Sequence, residues 1–373
     1  MKQVLFAVVV AVSVPALAQT PNSRVNPLLS PSTLPFQAPA FDRITDADFQ
    51  PAIEEGMTRQ LAEVDAIAND AAPPTFANTV EAMEKTGVPL RRVMAIFNAL
   101  TDANTNPALQ KVEAEEAPKL ASHDDEIYLN AKLFARVKAI YDRRNTLALD
   151  PEAKHLVELY YRDFVRSGAL LNDADKTALR ALNREESTLA TEYRTRRLAG
   201  NNAAAVVVDD RAQLDGLSEA DIAAAAEAAR TRGLAGKWVL TLQNTTQQPA
   251  LADLRNRDLR KRLHDAASAR GRGTGPNSTE ATIARLAQVR AQQARLLGFP
   301  SFAAFALDDQ MAKTPANALK LMNDLVPPAA AEGPRRGRAH AEADRPGRRR
   351  IHARPVGLAV LRRAGAQGGL RPG

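Results

Sequence analysis

No cysteine occurs anywhere in the 373 residues. Disulfides, thiolate metal sites and cysteine nucleophiles are therefore excluded. Histidine is scarce: His123, His155, His264, His340 and His352 are the full set. No two of them lie four residues apart, so no helix can turn a histidine pair and an intervening glutamate toward one metal ion. The HExxH pattern is absent. The glycine-rich run Gly271-Arg272-Gly273-Thr274-Gly275 lacks the lysine of a phosphate loop and does not follow a strand, so it reads as a loop between helices. No GxSxG elbow appears either. The sequence thus assigns no catalytic, cofactor-binding or metal-ligating residue.

Charge of one sign is also missing from most of the chain. The formal net charge is +7. Residues 333–373 carry 11 arginines against Glu342 and Asp344, a net +9, which leaves the first 332 residues at −2. The basic tail has no lysine and no aromatic ring to stack on a base, so no nucleic-acid partner is expected. No apolar run approaches the roughly 20 residues of a membrane span, so no membrane partner is expected. Hydrophobic residues are 45% and charged residues 25%, a balance that permits a sizeable soluble core.

What is present begins with a leader. Lys2 precedes the apolar run Val4–Val14, and Ala16-Leu17-Ala18 is a small-x-small cleavage signature. Residues 1–18 have the form of a secretory signal peptide, cleaved between Ala18 and Gln19. An exported chain, periplasmic if the source is a Gram-negative bacterium, is expected. Residues 19–44 are rich in Pro, Ser and Asn and read as an extended lead-in.

From residue 45 the pattern is mainly α. Phe49, Ile53 and Met57 mark one face of a helix over Asp46–Gln60. Two helices broken at Gly87-Val88-Pro89 fit Thr79–Leu100. Further helices are expected from Pro107 to about Asn130 and after Asp150-Pro151, the latter with Leu156, Leu159, Tyr160 and Phe164 inward. Asp173–Leu198 is a long helix with Leu179, Leu182, Leu189 and Tyr193 on its buried stripe. Its last turn is expected to hold Arg194, Arg196 and Arg197, with Gly200 as C-cap. Ala205–Val208 and Lys237–Leu242 read as two short strands around a helix capped by Ser218, a small α+β insert. Asn277-Ser278-Thr279-Glu280 opens a helix carrying Ile283, Leu286, Val289, Leu296 and Leu297. Another spans Pro315–Val326. The carboxylate runs Asp124-Asp125-Glu126 and Glu113-Glu115-Glu116 read as solvated faces. Asp308-Asp309-Gln310-Met311 reads as a helix boundary. Beyond Glu332 no period is visible, and 333–373 is expected to be disordered.

Several segments together resemble one family. They are Asn26-Pro27-Leu28-Leu29, Leu34-Pro35-Phe36, Pro39–Ile44, Pro74–Glu84, Ala103–Asn106, Glu115–Leu120, Gly236-Lys237-Trp238, Asn256–Arg260 and Leu297-Gly298-Phe299. In order and spacing, residues 26–330 resemble the thimet oligopeptidase family of zinc metallopeptidases, in its bacterial peptidyl-dipeptidase form. The resemblance implies a neurolysin-like helical fold with two halves flanking a channel, and 45–332 as the N-terminal helical region. It implies hydrolysis that removes dipeptides from the C-termini of oligopeptide substrates, with zinc in the second half. It carries no metal or catalytic residue onto this sequence. A chain lacking HExxH is expected to bind no zinc and to be inactive, as a monomer; a non-catalytic helical peptide-binding module is the alternative. Read one base later, the codons of Ile351–Pro372 can spell an aromatic-rich continuation. The tail is therefore expected to arise from a shifted reading frame near codon 332.

Overall fold

The computed structural model describes residues 24–343. The leader with its cleavage point, the start of the lead-in and residues 344–373 lie outside the described residues. The described residues are mainly helical, with one two-stranded sheet.

The lead-in is extended apart from 3-10 turns at Pro27–Leu29, Pro35–Gln37 and Asp46–Asp48. It is pinned where it meets the first helix. Arg24 donates to both oxygens of Asp48 at 2.8 and 3.0 Å. Burial opposes the charged form of Asp48, but Arg24 and the Thr45 backbone and hydroxyl outweigh it and hold the carboxyl below its usual range.

Helix α1 (Phe49–Ala68) is central. Its Phe49, Ala52, Ile53 and Met57 pack with Leu90, Val93, Ile96 and Phe97 of α3 (Val88–Asn104) and Leu109 of α4 (Pro107–Tyr128). Between α1 and α3 lie a π-helical turn, Phe76–Glu81, and the short α2 (Ala82–Glu84). Gly87, at φ 66°, makes the break expected there. Further along α1, Val64 and Ala68 meet Leu133, Phe134 and Val137 of α5 (Ala131–Arg143) and Phe164 of α6 (Pro151–Arg166). Helix α7 (Asp173–Ala203) then packs on α4 and on α11 (Glu280–Leu296).

Local chemistry fixes where these helices start. Asn106, Asn130, Asp150, Asn172, Ser218, Asn256 and Ser301 each accept a backbone N–H in the first turn that follows. Each such cap contributes about 1 kcal/mol.

Between α7 and α11 the chain forms the insert. Strand β1 (Val206–Val208) pairs antiparallel with β2 (Trp238–Leu240), Val207 opposite Val239. Helices α8 (Glu219–Arg230), α9 (Asn244–Asp253) and α10 (Arg257–Ala269) complete it. Val208, Leu214, Leu242, Leu254, Leu259 and Leu263 form its own core. The short α12 (Phe302–Leu307) and the long α13 (Pro315–Ala343) follow α11.

Several expectations need correction. Helix α7 runs through Gly200, which is helical and buried beside Asn277, and the helix ends at Ala203 with Ala204 as its C-cap. Arg194 and Arg196 are therefore not in its last turn. They reach Glu113 (2.7 Å) and the carbonyl of Ser278 (2.9 Å). On α6 the expected Phe164 is buried, and Leu156 and Tyr160 pack partly buried against a core to which Val157 adds a residue the sequence pattern does not single out. Ile283 is exposed, because the inward side of α11 is set by Thr282, Val289 and Gln293 against α7. Thr279 does precede α11, but its hydroxyl bonds the Gly271 carbonyl instead of capping the helix. Helix α13 continues to Ala343, so 333–343 is helical where no period is visible in the sequence.

Candidate functional site

Helices α4 and α7 lie side by side, α11 lies across α7, and α12 folds back toward the end of α6. These elements enclose a cavity of about 540 Å³. One wall is polar: Asp124 and Asp125 of α4, Asn183 and Glu186 of α7, and Gln293 of α11. The aromatic lining is Tyr128 of α4 with Phe302 and Phe305 of α12, and Arg166 lies over the Phe305 ring.

The polar wall is a chain of hydrogen bonds. Asn183 Nδ2 donates to Asp125 Oδ1 at 2.6 Å, and Gln293 Nε2 donates to Asn183 Oδ1 at 2.9 Å. Gln293 Nε2 also reaches Glu186 Oε2 at 2.9 Å, and Arg290 Nε donates to Glu186 Oε1 at 2.7 Å. Gln293 and Asp125 are both buried, so these bonds replace the water each group lost. Burial pushes the Asp125 carboxyl up, against the pull of Asn183, Arg180 and Arg184. Asp124 keeps an open face to the cavity. Desolvation by the helices packed around it, and then the adjacent Asp125 charge, push it up to about 6.

Arg166 holds the aromatic wall. Its guanidinium lies 4.5 Å from the Phe305 ring centre and donates to the Phe305 carbonyl and to Asp308, both at 3.0 Å. Asp309 is the third partner, at 3.5 Å. The carboxylates expected to mark a helix boundary do follow α12, and they also anchor it.

From sequence, Asp124-Asp125-Glu126 and Glu113-Glu115-Glu116 are expected on solvated faces. The structure corrects both for one residue each. Asp125 is buried under α7, and Glu116 is buried against α1, where Gln50 (2.9 Å) and Lys119 (2.8 Å) donate to it. Neither burial was findable from local sequence, since Asn183 and Gln50, which meet these carboxylates from other helices, lie 58 and 66 residues away.

The histidines do not converge. His123 is buried with Nε2 2.8 Å from Gln60 Oε1, and Nδ1 has no partner. Burial lowers its pKa, so the ring is neutral at pH 7. His155 and His264 lie near Glu158 and Asp265 on separate helices. The side chain of His340 and all of His352 lie outside the described residues. Among the described residues no three His, Asp or Glu side chains are grouped to hold a metal. A catalytic zinc needs three convergent protein ligands, so the metal of the resembled family does not fit the residues described. The glycine-rich run 271–275 is a loop between α10 and α11, as expected. A second, larger cavity of about 800 Å³ lies under the lead-in, between Leu28, Pro39, Ile44 and the Arg92–Ile96 face of α3.

Among the described residues no helix is long and apolar enough to cross a membrane.

Comparison with known proteins gives the wider context. Residues 250–347 match the model of Peptidase family M3, a match that runs past Glu332. The chain is 48% identical over 305 residues to dipeptidyl carboxypeptidase of Escherichia coli (strain K12), covering 82% of this chain and 45% of that protein. It is 46% identical to the Salmonella typhimurium dipeptidyl carboxypeptidase, with the same coverage of both chains. Oligopeptidase A of E. coli is 26% identical over 83% of this chain and 45% of its own length. The chain thus spans less than half the length of the curated relatives it matches.

Proposed function

Because the chain belongs to peptidase family M3, we propose that it is the helical N-terminal part of a zinc-dependent peptidyl-dipeptidase, acting on oligopeptides and releasing C-terminal dipeptides. The observation that carries this reading is the 48% identity to a dipeptidyl carboxypeptidase across most of the chain. A bound metal in such an enzyme polarises the scissile carbonyl and lowers the pKa of water. No set of described residues in this chain fits that role, so none is assigned a chemical step. What the chain supplies is shape: a rigid helical wall, with the Asp125–Asn183–Gln293–Glu186 network keeping α4, α7 and α11 in register.

The 373 residues alone are therefore expected not to hydrolyse peptides. Purified chain incubated with N-blocked tripeptides should release no dipeptide, with or without added zinc. Chelator-sensitive release would overturn this.

A second reading is favoured by the cavity itself. Its acceptors and rings suit an amine, guanidinium or amide group, as a non-catalytic peptide-binding module would require. Titration calorimetry with Lys- or Arg-containing tripeptides tests it. Binding without turnover, weakened at least tenfold by Asp124→Asn, supports the module; no heat with any peptide removes it.

Two further elements belong to the same proposal. The Lys2, Val4–Val14, Ala16–Ala18 pattern supports export to a periplasm. A shift of codon phase near codon 332 accounts for the arginine-rich tail, although the family match runs on to residue 347. Resequencing that region with its 3′ flank, read in three frames for HExxH, decides the second point.

A further inference from the structure

The cavity of about 800 Å³ between the lead-in and α3 has no part in the polar network of α4, α7 and α11. Its size falls in the range of small-molecule sites, roughly 300–1,000 Å³. The lead-in that roofs it is stiff. Pro27, Pro31, Pro35 and Pro39 recur at every fourth position. Each fixes its own φ and biases the residue before it toward extended backbone. The lead-in is also fastened where it starts. Asn26 donates to the Asp48 carbonyl at 2.7 Å, and Arg24 pairs with the Asp48 carboxylate at 2.8 Å. The cavity is therefore preformed.

Its walls are mostly apolar: Pro27, Leu28, Pro31, Pro39, Ile44 and Ile96. Three arginines stand among them. Arg24 is committed to Asp48. Arg92 is half-buried and spends one N–H on the Leu28 carbonyl at 3.2 Å. Among the described residues no carboxylate pairs with Arg92, and the Arg43 side chain has neither a hydrogen bond nor an ion pair. Asp42 is the single acid on the lining, and it pairs with neither arginine. Two uncommitted guanidinium groups thus face one carboxylate beside an apolar enclosure. An anion that brings its own apolar surface matches both halves of that lining.

We propose that this cleft binds a free amphipathic carboxylate, an alkyl chain ending in one carboxylate group, with Arg92 as the anchor of the carboxylate and Arg43 adding positive charge. The guanidinium fork suits a carboxylate in bidentate fashion, and the proline-rich wall takes the chain. A peptide C-terminus is the poorer occupant. Peptide N–H and C=O groups need partners when they leave water, and proline offers no N–H. A small inorganic anion would leave the apolar walls wet. No peptidase chemistry is required of the site.

The test titrates the full 373-residue chain with decanoate, kept below its micelle concentration, by calorimetry. Saturable 1:1 binding is expected. Decanol, which has the chain without the charge, should bind at least tenfold more weakly, and acetate, which has the charge without the chain, should give no heat. Arg92→Gln should weaken decanoate at least tenfold, Arg92→Lys less. Ala95→Trp, which fills the cleft from α3, should abolish binding. Circular dichroism and melting temperature check that each variant is folded. In the unaltered chain, decanoate should slow hydrogen exchange over residues 24–45, a readout that needs no variant. The exposed apolar face of α13 is the competing site for an alkyl chain, so Leu319→Asp/Met322→Asp should leave the affinity unchanged. Four results overturn the proposal: no saturable binding of decanoate, equal affinity for decanol, a folded Arg92→Gln that binds as the unaltered chain does, or binding that the α13 variant removes while residues 24–45 stay unprotected.

Discussion

Asn183 and Asp125 come from helices 58 residues apart in sequence, yet their side chains meet at 2.6 Å in the interior. The amide satisfies a carboxylate that the packing of α4 against α7 removes from water. Hydrogen bonds to charged groups contribute about 1.5–3 kcal/mol. Asn183→Ala should therefore lower unfolding stability by about that amount at pH 7, read by urea titration. At pH 4 the loss should be smaller, because the unpaired Asp125 can take a proton. An equal loss at both pH values would show that the bond is not what matters.

Asp124 supplies a signed pH dependence. Its folded-state value of about 6 lies above the ordinary 3.8. Between pH 4 and 6 the folded state binds more protons than the unfolded one, so stability falls as pH rises. The contribution is present below the unfolded value and is lost on passing the folded one. Asp124→Asn should flatten that part of the profile and raise the melting temperature at pH 7 more than at pH 4. Scanning calorimetry across pH 4–7 checks it; an unchanged slope counts against this carboxyl.

Arg136 shows how a buried cation replaces secondary structure. It donates to the carbonyls of Asp70 (2.7 Å) and Ala72 (3.0 Å), to the Asp70 carboxylate (3.2 Å) and to Thr79 (3.3 Å). One planar fork thereby satisfies the loop between α1 and the π-turn. Arg136→Ala should cost about 1–3 kcal/mol, because it leaves loop acceptors without their donor. Arg136→Lys should recover only part, because a point charge does not match the fork. Full recovery by lysine would contradict the argument.

Two glycines with positive φ should respond differently to alanine. A Cβ on Gly216 would meet the Asp253 carbonyl at 2.1 Å, whereas a Cβ on Gly233 has nothing within 4 Å. Gly233→Ala pays only the left-handed backbone penalty, about 1–2 kcal/mol. Gly216→Ala adds a backbone collision and should be clearly worse by chemical denaturation. Equal losses would remove the steric half of the argument.

Arg166 is the fastening of α12. Arg166→Ala should raise amide exchange over Phe302–Leu307 at least tenfold while leaving α4 and α7 unchanged, by mass spectrometry. Uniform loss of protection would mean that the residue supports the whole fold.

The fold was legible where local chemistry decides it. Asp150-Pro151, Ser218 and Gly87 sit where the sequence places them, because caps and turns are read by their own neighbours. Helices α5, α9 and α10 escaped that reading. Asn130 and Asn256 cap α5 and α10, and Leu133, Val137 and Ile140 keep the helical period, so that signal was present. Gly200 misled for a tertiary reason: it is helical and buried in α7 beside Asn277, not at a left-handed turn. Asp125, Glu116 and Gln293 were invisible as a group, since long-range packing alone decides which polar residues of an amphipathic helix are covered. The family resemblance, carried by ordered short segments, did not depend on any of this.

The insert leaves and rejoins the helical body at one doorway. Arg270, at its end, donates to Asn201, at its beginning, at 3.2 Å, and Gly200 lies beside Gly271. Its apolar interior is drawn from its own strands and helices. A unit with adjoining ends and a private core places no tension on its host. It is thus a replaceable cassette: its sequence can drift, lengthen or be exchanged while the α4–α7–α11 stack keeps its geometry.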